Sequence, residues 1–149
     1  MPPVKKVTDQ NTLVECSKYP SYAKFSYDTF NPVQSRVFEF FDKDCNAVLS
    51  ARTSAGKTVV SEQIAAYEIR VKKGKMIYLA PMKALAKEKY DDWTMPGHHF
   101  ADLKVSICTG DYRLTAERKK ELEESDIIIL TSEMLNSRTR NFKSENNEW

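Results

Sequence analysis

The sequence predicts an α/β domain built on a parallel sheet, and three observations predict it. Short apolar runs of strand length recur at residues 47–50, 76–80, 103–108 and 126–131, two of them almost uninterrupted, as strands buried on both faces are. Stretches with helical spacing or mixed charge lie between them, and strands alternating with helices imply right-handed crossovers and parallel pairing. At the first junction from run to helix stands Gly56-Lys57-Thr58, a set of residue types suited to holding a polyphosphate.

Composition bounds the problem without answering it. The 149 residues, 41% hydrophobic and 30% charged, fit one domain with a sizeable core. A formal net charge of +2 is too small to argue for nucleic acid by bulk electrostatics, so any such partner has to be argued from local residues. Cys16, Cys45 and Cys108 are far apart and contain no C-x-x-C pair, so the sequence suggests neither a disulfide framework nor a zinc site, and buried thiols are expected. Met1-Pro2-Pro3-Val4-Lys5-Lys6 is not followed by an apolar segment, and no run reaches membrane-spanning length. The expectation is an intracellular protein, cytoplasmic or nuclear, with no membrane partner.

Taken in order, residues 1–19 are polar and aperiodic and are expected to form an extension lying on the domain or partly disordered. The aromatic cluster Tyr19, Tyr22, Phe25, Tyr27 and Phe30 is expected to anchor that extension to the core. Asn31-Pro32 reads as a helix start, with Asn31 as cap, Pro32 in the first helical position, and Val33, Val37, Phe40 and Phe41 on one face. Gln34 then falls in the first turn, where its amide offers the donor and acceptor that complement an adenine edge, although an isolated glutamine in a first turn is usually only solvated. After the polar turn at residues 42–46, the run at 47–50 predicts the strand that feeds the phosphate loop.

The loop itself, Ala51-Arg52-Thr53-Ser54-Ala55-Gly56-Lys57-Thr58, opens a largely buried helix marked by Val59, Val60, Ile64, Tyr67, Ile69 and Val71. A loop at a helix start supplies converging backbone N–H groups, Gly56 lets the backbone approach the phosphates, Lys57 reaches the outer phosphates, and Thr58 offers a hydroxyl to magnesium. In Lys72-Lys73-Gly74-Lys75, the glycine is placed to stop that helix and the lysines to face its C-terminal dipole.

Met76-Ile77-Tyr78-Leu79-Ala80 predicts a strand buried on both faces, ended by Pro81, with a helix opening at Met82-Lys83-Ala84. His98-His99 falls in a loop and is expected to be solvated, since two adjacent histidines without a ligand pattern are a weak metal signal. Residues 103–108 predict a strand ending in Thr109-Gly110-Asp111, residues 114–124 a solvated charged helix, and residues 126–131 a further buried strand leading to Thr131-Ser132-Glu133 and a short helix. Four loops thus follow strands, and all four are expected to face one side of the sheet, where open α/β sheets bind ligands.

This ordered set resembles the first RecA-like domain of superfamily-two DExH-type helicases, in the branch that holds archaeal repair helicases and the large spliceosomal helicase, over residues 20–149. Phe30-Asn31-Pro32-Val33-Gln34 is similar to the family's adenine-recognising segment, and the loop at 51–58 to its Ala-Pro-Thr-x-x-Gly-Lys-Thr loop, in which Ala51 is the normal residue. Ala80-Pro81-Met82-Lys83-Ala84-Leu85, Thr109-Gly110-Asp111 and Thr131-Ser132-Glu133-Met134-Leu135 resemble its strand-contacting motifs, and Asp91-Asp92-Trp93 a segment common in this branch. Arg52 and Ser132 stand where proline is usual in the family.

The resemblance implies a P-loop, RecA-like fold and the N-terminal ATP-binding portion of an ATP-dependent nucleic-acid helicase. ATP and Mg2+ are the implied cofactors, with Gln34, Thr53, Ser54, Ala55, Gly56, Lys57 and Thr58 at the nucleotide and Thr58 toward magnesium. A single strand of DNA or RNA is the implied partner, held by Pro81, Lys83, Ala84, Thr109, Gly110, Asp111, Thr131 and Glu133. No segment matches the Asp-Glu-x-His motif, so the resemblance implies an incomplete domain without a complete catalytic set, partnered by the remainder of the helicase or a second chain. The alternative is an inactive nucleotide- or nucleic-acid-binding module; a small metabolic kinase would account for the phosphate loop but for none of the later motifs.

Overall fold

The computed structural model describes residues 14–15, 25, 28–41, 43, 45–53, 55–110 and 115–140. The chain divides into two compact units, Met1–Val71 and Lys72–Trp149. The fold is α/β, with a three-stranded parallel sheet flanked by helices.

In the first unit, strands β1 (Val14–Glu15) and β2 (Thr29–Phe30) pair antiparallel. Helix α1 (Pro32–Arg36) follows and tightens into a 3-10 turn over Val37–Phe40. Asn31 caps it, as the Asn31-Pro32 pair predicts, and the cap is reciprocal: Asn31 Oδ1 accepts from the Gln34 N–H at 2.9 Å, while Gln34 Oε1 accepts from the Asn31 N–H at 3.0 Å. Val37, Phe41 and Val60 form the core of this unit, with Val33, Phe38 and Tyr67 packed against it. Phe40 turns outward instead, because the 3-10 turn rotates it off the face that helical spacing assigns to it.

Rings from Phe25 through Phe30, Phe38 and Phe41 to Tyr67 make successive contacts at 5.5, 5.3, 4.9 and 4.7 Å between centroids. The described part of the aromatic cluster is thus core material, and Tyr19, Tyr22 and Tyr27 lie outside the described residues.

Residues 47–50 do not form the strand expected of them. Val48 is 98% exposed, and a four-residue run gains a strand's hydrogen bonds only beside another backbone edge; among the described residues none pairs with it. Helix α2 (Lys57–Arg70) is largely buried, as expected. Val60, Glu62, Gln63, Ala65, Ala66 and Ile69 are buried on a wide arc, and Ile64 lies on the remaining face, exposed. Beyond its end it is Lys73, at φ 59°, and not Gly74, that takes the left-handed conformation. Cys45 is exposed rather than buried.

In the second unit the sheet order is β3 (Met76–Ala80), β5 (Ile127–Thr131), β4 (Val105–Cys108), all parallel. Central β5 is buried at every residue, as an uninterrupted Ile-Ile-Ile-Leu run between two partners should be. Helix α3 (Lys83–Trp93) covers one face through Trp93, whose ring meets Tyr78 at 5.1 Å and Phe100 at 5.7 Å. Helices α4 (Ala116–Glu123) and α5 (Ser132–Arg140) cover the other, where Leu122 and Met134 pack on Cys108, Ile128 and Leu130.

Strand β3 is the departure: Ile77 and Leu79 are about half exposed, because β3 is an edge strand and the cover on that face stops over β5 and β4. His98 and His99 are half-buried and packed on each other and on Phe100, with His98 Nδ1 accepting from the Phe100 N–H at 3.1 Å. They serve the loop's packing rather than facing solvent.

Candidate functional site

In the first unit the loop expected to hold phosphate is fastened from both ends. Gly56 caps α2 in the left-handed conformation at φ 69°, ψ 35°, the backbone state that glycine enters at least cost. A Cβ at this position would sit 2.4 Å from Gln34 Nε2, so a larger residue would push that amide off its bond to the Gly56 carbonyl. The arc between is a tight turn in which Arg52 O accepts the Ala55 N–H at 3.1 Å.

Side chains from α1 fasten this turn. Asn31 Nδ2 donates to Ala55 O at 3.2 Å, and Gln34 Nε2 donates to Gly56 O at 3.4 Å. Gln34 is buried and spends its amide oxygen on the Asn31 cap and its amide nitrogen on the loop, so the residue assigned to the adenine edge is also a strut of the phosphate loop. Asn31 was not among the expected site residues. The Asn-x-x-Gln spacing, a capping-box pattern, was the signal that ties it to Gln34.

Lys57, the first residue of α2, folds its ammonium onto the loop, donating to Ala51 O at 2.8 Å and Arg52 O at 2.9 Å. Among the described residues it meets carbonyl oxygens and no carboxylate, so its charge is held in place without being neutralised. Thr58 follows in the first turn of α2, exposed, and Thr53 is exposed on the loop. Of the N–H groups of that first turn, that of Val59 donates to Gly56 O at 3.1 Å, while those of Lys57 and Thr58 have no i−4 partner in the helix. Ser54 lies outside the described residues.

The residues present fit a polyphosphate with its metal: a converging N–H set, an uncompensated ammonium, and a hydroxyl.

In the second unit the strand register places three loops side by side. Ala80 is opposite Thr131, and Cys108 opposite Leu130, so β3, β5 and β4 end on one edge. With strands ~4.8 Å apart, the three ends span roughly 10 Å. Pro81 and Ala84 are exposed, and Lys83 is the exposed first residue of α3. Met82, the N-cap of α3, has an extended backbone and no side-chain cap hydrogen bond, so the first N–H groups of α3 are not taken up by a capping side chain.

Thr131 is buried and its hydroxyl accepts the Met134 N–H at 3.4 Å, which caps α5, while Glu133 is exposed in the first turn. A carboxylate there suits the helix dipole and a hydroxyl or amino donor, not a phosphate. Thr109 is buried and Gly110 exposed, and a Cβ on Gly110 would meet nothing within 4 Å. Asp111 lies outside the described residues.

Behind the edge, a polar network pins α4 to β4. Ser125 Oγ donates to Ser106 Oγ at 2.7 Å, Ser106 Oγ donates to Glu121 Oε1 at 3.0 Å, and Arg118 pairs with Glu121 while donating to the Ile107 carbonyl. Burial pushes the Glu121 carboxyl up, but the hydrogen bonds from Arg118 and Ser106 outweigh it, and Glu121 titrates below the ordinary glutamate value.

A glycine-capped loop with an inward lysine at a helix start, and a parallel sheet whose strand ends share one edge, define a partial RecA-like α/β domain. Residues 31–147 match the model of the family "DEAD/DEAH box helicase", and the chain belongs to that family. It is 33% identical over 138 residues to human activating signal cointegrator 1 complex subunit 3, covering 91% of this chain and 6% of that protein. The RQC trigger complex helicase SLH1 of Saccharomyces cerevisiae is 34% identical over 137 residues, 91% of this chain and 6% of that one. The human U5 small nuclear ribonucleoprotein 200 kDa helicase is 30% identical over 152 residues, 98% of this chain and 7% of that one. The chain thus spans well under a tenth of the length of these relatives.

Proposed function

We propose that this chain supplies the nucleotide-binding and strand-gripping part of an ATP-dependent nucleic-acid helicase. The observation that carries the reading is the state of Lys57, an ammonium set among loop carbonyls at 2.8 and 2.9 Å beside the N-terminus of α2, with no carboxylate paired to it among the described residues. An ammonium so placed exchanges its carbonyl partners for phosphate oxygens with a gain in charge pairing.

Gly56, Lys57 and Thr58 then present N–H groups to the phosphates, and Thr58 turns its hydroxyl to the magnesium ion. Thr53, Ser54 and Ala55 complete the loop. Gln34 reads the adenine edge by giving up one of its two present bonds, which couples base recognition to loop position. Bound ATP and Mg2+ supply the phosphoanhydride whose hydrolysis drives movement in the whole enzyme. At the other site, Lys83 and the N–H groups of residues 82–84 take one strand phosphate, and the Thr109-Gly110-Asp111 turn takes another; Pro81 and Ala84 shape the first contact. Thr131 holds the start of α5 in place, and Glu133 accepts from a sugar or base donor.

The test is a calorimetric titration of the chain with ATP and Mg2+. Lys57→Ala is expected to weaken binding by ~1.5–3 kcal/mol, the usual worth of a hydrogen bond to a charged group. Unchanged affinity in the mutant would remove Lys57 from the site.

A further inference from the structure

We infer that Arg52 is a second phosphate-binding cation of this loop, one that favours a nucleoside triphosphate over a diphosphate. The inference rests on the nucleotide-binding reading above and adds a residue and a selectivity to it.

Arg52 O accepts both the Ala55 N–H, at 3.1 Å, and the Lys57 ammonium, at 2.9 Å. The backbone of Arg52 is therefore in direct contact with the ammonium that serves the outer phosphates. The Arg52 side chain is exposed, and among the described residues no carboxylate pairs with it. Two cations thus leave the same stretch of loop, one tied down by carbonyls and one projecting into solvent.

Their mutual repulsion brings no benefit to the loop itself, since carbonyls already hold Lys57. An anion lying against Lys57 brings oxygens within reach of a side chain as long as arginine. The planar guanidinium is suited to bridge two oxygens of one terminal phosphate. Because Lys57 addresses the outer end of the chain of phosphates, a cation beside it acts mainly on the last phosphate. Removing that phosphate removes most of what Arg52 can hold, so the side chain contributes to ATP binding and little to ADP binding. As the group is exposed, the contribution is also sensitive to salt.

The experiment titrates the full chain with ATP and, separately, ADP, each with Mg2+, at two salt concentrations. The proteins are wild type, Arg52→Gln, Arg52→Lys and Lys57→Ala. The expected result is that Arg52→Gln weakens ATP binding roughly five- to ten-fold, about 1–1.4 kcal/mol, and ADP binding less than two-fold. Arg52→Lys, which keeps the charge and loses the fork, is expected to fall between, and the salt dependence of ATP binding to be shallower in Arg52→Gln. Equal weakening of ATP and ADP by Arg52→Gln, or no weakening of either while Lys57→Ala weakens both, overturns the inference and leaves the nucleotide site standing. Wild-type affinity in Lys57→Ala overturns the site and the inference together.

Discussion

At the scale of single residues, Gly56 carries two constraints at once. Its backbone is left-handed and its missing Cβ leaves room for Gln34 Nε2, which would lie 2.4 Å from a methyl group. Gly56→Ala is therefore expected to destabilise the chain by ~1–3 kcal/mol, through the strained φ and the displaced amide, and urea unfolding measures it. Gly110 makes the contrast, because open space surrounds its Cβ position and only an approaching ligand would feel a methyl there. Residue types were the most legible part of the site. Gly-Lys-Thr at a helix start marks the loop, and Asn31-Pro32 marks the cap. What sequence could not show is that Gln34 and Asn31 hold Ala55 and Gly56, since a bond across 22 or 24 residues leaves no local pattern.

At the scale of elements, Met76-Ile77-Tyr78-Leu79-Ala80 and Ile127-Ile128-Ile129-Leu130-Thr131 read alike as buried strands, yet only the second is buried throughout. The difference lies in sheet order, with β3 at an edge and β5 in the centre, and an apolar run contains no information about its neighbours. The same blindness explains residues 47–50, whose pattern suits a strand but which have no partner edge among the described residues. The α4 helix shows a second kind of hidden order. Its Lys and Glu residues read as a solvated face, but Arg118 and Glu121 belong to the network that reaches Ser106 on β4.

That network sets a pH dependence. The folded Glu121 carboxyl titrates below its unfolded value, so near neutral pH the folded state gains stability from it. The gain is lost as pH falls below the ordinary glutamate value of about 4.3 and on through the lower folded value. In thermal melts between about pH 6 and 3, Glu121→Gln is expected to show a smaller loss of melting temperature with acid than wild type. Parallel curves for the two proteins would take the carboxylate out of the account.

At the scale of the whole molecule, the two units are each organised around one kind of contact. Met1–Val71 holds the glycine-capped loop, and Lys72–Trp149 holds the three strand ends along one edge. A net charge of +2 means that affinity for a polyanion has to come from these local groups and not from the overall field. The alternation of strand and helix made the α/β class legible; of the four loops expected at strand ends, three follow strands and share one edge, while the loop at 51–58 follows no strand. The division into two units was not, because Lys72-Lys73-Gly74-Lys75 at the boundary reads as an ordinary helix end.

On the proposed function, one chain holds nucleotide at the loop and a nucleic-acid strand at the sheet edge. Amide hydrogen exchange, run with ATP and Mg2+ and then with a short single-stranded oligonucleotide, tests it most directly. ATP is expected to slow exchange at residues 55–59, and the oligonucleotide to slow it at residues 82–84, 109–110 and 132–134. Protection by the oligonucleotide that falls outside those three loops, or an ATP effect that misses residues 55–59, would contradict the account.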